Sequence, residues 1–373
     1  MKITSIETFP VRVPLVPSHR MISALGRHEV SQYVLTRMET DTGVVGAGEA
    51  TVLPRWSGET VWGAKAIIDE VFAPGLIGVD PEDIEEVDRI LDQLSVGNWF
   101  AKSALEMACW DVVGKTKGKP IYELLGGPHR STAIRCRFSM GAYDPDRARK
   151  RTAELVRDGF TTIKVKVGTN LDEDVERVRI VREVAGDEID LVIDANGGFD
   201  TRTAIEAARQ LEDARVSLFE QPTPRGDFQG LADVRRETGL TIMADDICFD
   251  YNDALECIRA DACDVISIYP GKNGGIRKSQ RIAELAAENG VACSIGSNLE
   301  LDVASAAMGH LVVGCQNLQV EQYPGDILGP IYHERRVVTD PLSIAGPIIE
   351  LNDSPGLGVT VDWDMIRTLW AKP

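Results

Sequence analysis

The sequence predicts an α/β protein in which a parallel, barrel-forming repeat follows an α+β unit. Antiparallel strand signals and then helical periodicity fill roughly the first third of the chain. Short apolar strands alternate with amphipathic helices from about Ser131 onward. A polar or charged residue also closes several successive strands at a nearly constant interval. A run of strands before a run of helices is an α+β pattern, whereas βα units in register mean a parallel sheet. Six or so such units usually close into a TIM-like barrel; an open doubly wound sheet is the alternative.

Residues 3–15 alternate as a strand, 33–38 form a second apolar run, and ETDTG at 39–43 is a turn before VVGAGEA. Helical periodicity runs from about Gly58 to Gly114 and ends in AKSALEMACWDVVGK. In the first βα unit Asp144 suits a helix cap, Pro145 the first helical position and Gly159 the stop, before the strand TTIKVKV at 161–167. LVIDAN, VSLFEQP, TIMADD, DVISIYP and VACSIGS repeat the pattern, each followed by a helix. After about Ile331 the texture becomes turn-rich, in a tail able to return to the first unit.

Composition narrows the function. Of 373 residues, 58 are Asp or Glu and 40 are Lys or Arg, a net charge of −18. Such a body is repelled by nucleic acid and by anionic membrane surfaces, so neither is expected as a partner. The seven cysteines form no CxxC pair and suit small core positions in a reducing compartment. No secretory signal is visible and no apolar stretch approaches the roughly 20 residues that span a bilayer, so a cytoplasmic protein is expected.

The chemistry lies at the strand ends. Lys166, Asp194, Glu220 and Asp245 follow one another at 28, 26 and 25 residues, and Tyr269 stands at the next such position. One βα unit of a barrel takes about this length, and barrel active sites sit at the C-terminal face of the strands. Three convergent carboxylates repel one another into protonation unless a cation joins them. An all-oxygen set favours a hard ion, and an open set fits Mg²⁺ better than a Ca²⁺ cage. Each carboxylate alone would serve equally well as a helix cap. Lys164 and Lys166, two apart on a strand, share one face, opposite Ile163, Val165 and Val167. Helices covering the apolar face send both lysines into the lumen; an edge strand with solvated lysines is the alternative. Adjacent ammonium groups depress each other's pKa and a nearby Mg²⁺ depresses both further, which suits one of them to act as a general base.

At this point the residues resemble the enolase superfamily, and within it the mandelate racemase/muconate lactonizing enzyme subgroup. The resemblance covers nearly the whole chain: GAGEA near Glu49, SALEMACWDVVGK and PIYELLGG, KVK at Lys164–Lys166, DAN at Asp194–Asn196, EQP at Glu220–Pro222, ADD at Ala244–Asp246, KNGG at Lys272–Gly275, and PGLGV near the end. It implies a modified (β/α)7β barrel at 126–335, an α+β capping domain at 1–125, and a segment at 336–373 returning to the cap. It also implies one Mg²⁺ per site held by Asp194, Glu220 and Asp245, with Lys166 as base, Lys164 supporting it, and a small-molecule carboxylate as substrate. The activity expected is α-proton abstraction followed by β-elimination, cycloisomerisation or epimerisation, in a homo-oligomer.

One position departs from the family pattern. Tyr269 falls where subgroup members commonly carry a lysine on the sixth strand, while Lys272 matches a later lysine with no assigned catalytic role. Tyr269 can donate a proton if the cationic site lowers its pKa, or it can bind substrate or fill space. With one clear lysine face, the expectation leans toward a one-base reaction such as β-elimination. Two cap loops, about 17–28 and 51–58, are expected to select substrate, with His19, Arg20, Arg27, His28, Arg55 and Trp56 as a basic, aromatic rim. Asn196, Ser297, Asn298 and Asp326 are candidates to contact substrate or orient metal ligands, with helix capping the alternative for Asn298 and Asp302. Two rivals remain at this stage: a Schiff-base aldolase using Lys166, against which the three carboxylates argue, and a non-catalytic binding homologue.

Overall fold

The computed structural model describes residues 1–370; residues 371–373 of the predicted returning segment lie outside the described residues. The chain opens with β1 (Ile3–Pro14), a small hairpin of β2 (Met21–Ser23) and β3 (Gly26–His28), then β4 (Val30–Thr40) and β5 (Val45–Val52). Strands β1, β4 and β5 form an antiparallel sheet in that order. Its face is covered by the helix Trp99–Lys117, buried along most of its length. The GAGEA segment explains this close packing. A side chain at Gly46 or Gly48 would collide with the carbonyl oxygens of Ala108 and Ala104, so only glycine lets strand and helix approach.

The tail strand partner β6 (Ala133–Arg135) precedes seven parallel strands: β7 (Phe138–Met140), β8 (Thr162–Lys166), β9 (Asp190–Asp194), β10 (Val216–Glu220), β11 (Thr241–Ala244), β12 (Val265–Ile268) and β13 (Ala292–Ile295). They are hydrogen-bonded in sequence order. The first βα unit uses the expected signals: Asp144 caps Pro145–Arg157 by accepting from the Arg147 amide, and Gly159 follows at φ +85°. An irregular segment closes the circle. Gln319 N donates to Cys293 O and Asp326 N to Ile295 O on one side, while Arg137 N donates to Gly325 O on the other. Pro324, which lacks an N–H, helps explain why this segment makes scattered bonds and no regular ladder.

Cap and barrel are joined by buried carboxylates that satisfy helix ends. Glu49 on β5 accepts from Leu301 N at 2.8 Å and Ala304 N at 3.0 Å, at the start of the barrel helix Asp302–Gly314. Glu106 of the cap helix accepts from Ile276 N and Arg277 N, each at 2.8 Å, at the start of Ile276–Glu288. The first amides of a helix lack intrahelical partners, so each carboxylate both caps a helix and fixes the cap's orientation. After the barrel, β14 (Ser343–Ala345) and β15 (Ile348–Glu350) form a hairpin that pairs with β6. Leu357 N then reaches Asp111 of the cap helix at 3.0 Å. All seven cysteines are buried and unpaired, and no helix among the described residues is long and apolar enough to cross a membrane.

Candidate active site

Strand register brings the spaced polar residues to one end of the barrel. Lys166, Asp194 and Glu220 are the last residues of β8, β9 and β10, while Asp245 and Tyr269 directly follow β11 and β12. Lys166 is in register with Asp194, and Asp194 with Glu220. Parallel strands in register necessarily deliver the same position of each unit to the same rim. Both lysines of KVK are buried, which sets aside the edge-strand alternative. Lys164 Nζ donates to Glu220 Oε1 at 2.8 Å and lies 3.1 Å from Asp194 Oδ2. Lys166 Nζ donates to Asp194 Oδ2 and, at 2.7 Å, to Asn196 Oδ1.

The carboxylates around Lys164 set the direction of its shift. Burial and Arg137 act to lower its pKa, but Glu220, Asp194 and Asp326 outweigh them and hold it above the ordinary lysine value. Glu220 is driven up by burial, yet Arg137 and Lys164 more than compensate and keep it below the usual carboxylate range. Asp245 behaves alike: burial raises it, and Lys272 and Lys164 bring it below the usual range.

At Tyr269 the shift runs opposite to the lowering on which the proton-donor reading depended. Burial, with Asp245 and Asp246 beside it, pushes the phenol well above its ordinary value. The neutral hydroxyl donates to Asp245 Oδ1 at 2.7 Å. Its ring stacks on Trp56 with centroids 5.4 Å apart and planes 11° from parallel. Lys272, fully buried, donates to Asp245 Oδ1 at 2.7 Å, Asp245 O at 2.9 Å and Ser267 O at 2.7 Å. Tyr269 and Lys272 thus both fix one oxygen of Asp245.

Asn196 sits at φ +43°, donates its backbone N–H to Asp194 Oδ1 at 2.8 Å and joins Lys166 through its side chain. Ser297 Oγ donates to Glu300 Oε2 at 2.6 Å, and Asn298 donates its backbone N–H to Glu300 Oε1 at 2.9 Å and its amide to Thr51 O at 3.1 Å. Neither caps the following helix, which Glu49 serves; Asp302 instead pairs with Arg336. Asp326 is buried and faces the same pocket, its pKa raised by burial against the pull of Lys164 and Arg137. Of the six rim candidates, Arg27, His28, Arg55 and Trp56 line the pocket. His19 instead packs against the Phe138 and Tyr332 rings, and Arg20 lies 3.7 Å from Glu29, so the structure does not bring these two to the site.

Sequence reasoning missed Arg137, which is 1% exposed and donates to Glu220 Oε2 at 2.6 Å. It precedes β7 in RCRFSM, where an arginine between apolar residues was the available signal. Gln221, at φ +37°, was missed too; its Oε1 accepts from Asp245 N at 3.0 Å and Ile247 N at 3.1 Å, fixing the backbone around Asp245.

The charge inventory bears on what the site holds. Asp194, Glu220, Asp245, Asp246 and Asp326 supply five carboxylates against Arg137, Lys164, Lys166 and Lys272. With all ionised the balance is one negative charge, which favours an added cation. Three of these carboxylates come from adjacent strands and offer only oxygen, the donor type of a hard divalent ion. Here their oxygens turn to neighbouring cations, and no acidic group among the described residues forms a ready coordination cage. The hydrogen bonds to the Asp245 carboxylate all reach Oδ1.

A barrel whose rim gathers carboxylates and lysines beneath a cap defines an enzyme with a charged site at the barrel mouth. Residues 3–126 match the mandelate racemase/muconate lactonizing enzyme N-terminal domain, and residues 147–365 the enolase C-terminal domain-like family. The chain belongs to the mandelate racemase/muconate lactonizing enzyme subgroup of the enolase superfamily, and is an enzyme of that type. It is 33% identical to the hydrophobic dipeptide epimerase of Enterococcus faecalis, across 96% of this chain and all of the relative. The crystal structure of N-succinyl Arg/Lys racemase from Bacillus cereus superimposes with a TM-score of 0.95 at 29% identity, covering 100% of this chain and 99% of that one. That of 2-chloromuconate cycloisomerase from Rhodococcus opacus gives 0.95 at 30% identity, with both chains fully covered. The Enterococcus epimerase in complex with Mg and L-Leu-L-Tyr gives 0.91 at 32% identity, covering 96% of this chain and 100% of that one.

Proposed function

We propose that this chain removes the proton next to the carboxylate of a small organic acid, with Lys166 as its single base, and directs the resulting enolate to β-elimination or another one-base outcome. The observation that carries this reading is the asymmetry of the rim. A lysine stands at the end of β8, whereas the position after β12, with β9, β10 and β11 between, holds a neutral phenol committed to Asp245. Two-base racemisation needs a proton donor and acceptor on each face of the substrate carbon, and a phenol with a raised pKa serves poorly as the second.

Asp194, Glu220 and Asp245 are the residues that would hold Mg²⁺, supported by their all-oxygen chemistry and by the Mg complex of a relative. When bound there, the ion supplies Lewis-acid charge for the substrate carboxylate. Lys164 remains an ammonium that stabilises negative charge developing nearby, in a site shielded from water. Lys166, once its ammonium has given up a proton to solvent and become the neutral amine, accepts the substrate α-proton at Nζ. Asn196 keeps the Lys166 Nζ aimed at the substrate carbon. Tyr269, Lys272 and Gln221 hold Asp245 in place. Arg27 and Arg55, exposed on the cap loops, attract anionic acids to the mouth.

The test is proton NMR in D₂O with a library of amino, hydroxy and dipeptide acids, followed by chiral analysis of the recovered acid. Solvent deuterium at the α-carbon with retained configuration, or an elimination product, is expected. Full racemisation at the rate of exchange would refute the one-base reading.

A further inference from the structure

The aromatic side chain of the second cap loop is wired to the catalytic lysine. Trp56 lies on the short helix Pro54–Ser57 and rests its ring on Tyr269, with Phe249 at 5.2 Å and Phe100 at 5.8 Å. Its indole N–H donates to Asp246 Oδ1. The other oxygen of Asp246 accepts from Asn196 Nδ2 at 3.3 Å, and Asn196 Oδ1 accepts from Lys166 Nζ at 2.7 Å. Asp246 is buried and makes no ion pair among the described residues, so two neutral donors carry its hydrogen bonding. A buried carboxylate that loses one of two donors pays a desolvation penalty, so this contact holds the loop down.

We propose that Trp56 and Asp246 are positioning residues that report closure of the 51–58 loop to Lys166 by fixing the orientation of the Asn196 amide. This rests on the reading of Lys166 as the base. The amide of Asn196 has two distinct ends. While Asp246 accepts from the nitrogen end, the oxygen end must face the lysine. When the loop lifts and Trp56 leaves, Asp246 is free to turn, the amide loses its constraint, and Lys166 loses a directed acceptor. Tyr269 completes the device: a flat ring at the position after β12 gives the indole a stacking surface that an aliphatic ammonium side chain cannot offer. The base is thus set for proton transfer only when the loop covers the pocket, which keeps water out while the enolate exists.

The test compares Trp56→Phe, which keeps a stacking ring but removes the N–H, and Asp246→Asn, which can no longer accept from both partners. Two readouts need no substrate and stand even if the proposed reaction is wrong. One is amide hydrogen exchange of residues 51–58; the other is the acylation rate of Lys166 by acetic anhydride, followed by mass spectrometry against exposed lysines. Both variants are expected to raise loop exchange about fivefold and Lys166 acylation about threefold or more. Where a substrate is in hand, kcat should fall about tenfold or more with KM little changed, because a misaimed base costs rate and not binding. Lys166 acylation unchanged in both variants, or loop exchange unchanged in Trp56→Phe, would overturn the proposal. A rise in KM alone would make Trp56 a substrate contact and overturn it equally.

Discussion

Replacing Tyr269 with phenylalanine separates a positioning phenol from a proton-transferring one. The substitution removes one hydroxyl, which donates to Asp245 Oδ1 at 2.7 Å, and leaves the ring to stack on Trp56. A hydrogen bond from a neutral donor to a charged acceptor contributes about 1.5–3 kcal/mol. Lys272 still donates to the same oxygen at 2.7 Å, so the loss should fall at the lower end, about 1.5 kcal/mol. In a chain of this size that is a few degrees in Tm at most. The rate should drop by no more than about tenfold, since Asp245 is loosened and not lost, whereas removing a general acid or base typically costs about 10²–10⁴-fold. The assay pairs thermal unfolding with the rate of α-deuterium incorporation under saturating Mg²⁺. A fall of a hundredfold or more with unchanged Tm and unchanged metal dependence would refute the reasoning and make Tyr269 a second acid/base group.

Other consequences can be measured alongside. Glu49 and Glu106 are pushed by burial to about 8. A carboxyl whose folded pKa lies above its unfolded value contributes stability in full below the unfolded pKa, and that contribution is lost as pH rises toward the folded value. The stability advantage of the native protein over Glu49→Gln should therefore shrink between about pH 5 and pH 8; an advantage that grows or stays constant across this range would contradict it. Glu49→Ala should cost about 2–4 kcal/mol by urea unfolding, because two helix amides and the Thr51 hydroxyl lose their acceptor. Gly48→Ala should prevent the cap helix from seating on β5, with poor folding as the readout, while Gly58→Ala meets open space and is opposed only by its φ of +81°. Lys272→Met should cost about 3–5 kcal/mol by leaving Asp245 without its buried counter-charge.

Much of the barrel and its rim was legible because a βα repeat imposes a period. Lys166, Asp194, Glu220, Asp245 and Tyr269 recur at one strand's end after another, and a parallel sheet in register turns that period into a ring. The inward face of KVK followed from two-residue alternation. What local pattern could not reveal were partnerships across the whole chain. Glu49 caps a helix 252 residues further on, and Glu106 one about 170 residues away. Arg137 reaches Glu220 from a segment too short to show periodicity. The charge state of Lys164 depends on the sum of Glu220, Asp194, Asp326 and Arg137, which spacing alone cannot weigh. Closure of the barrel near Gln319–Asp326 was faint for a related reason: few of its bonds form a ladder.

The most direct test of the central claim is α-proton exchange in D₂O with and without EDTA, for the native protein and Lys166→Ala, over a mixed pool of small carboxylic acids. The account predicts exchange or elimination that needs a divalent ion and disappears in the variant while its fold, followed by circular dichroism, persists. Activity that survives EDTA, or that survives loss of Lys166, would contradict it.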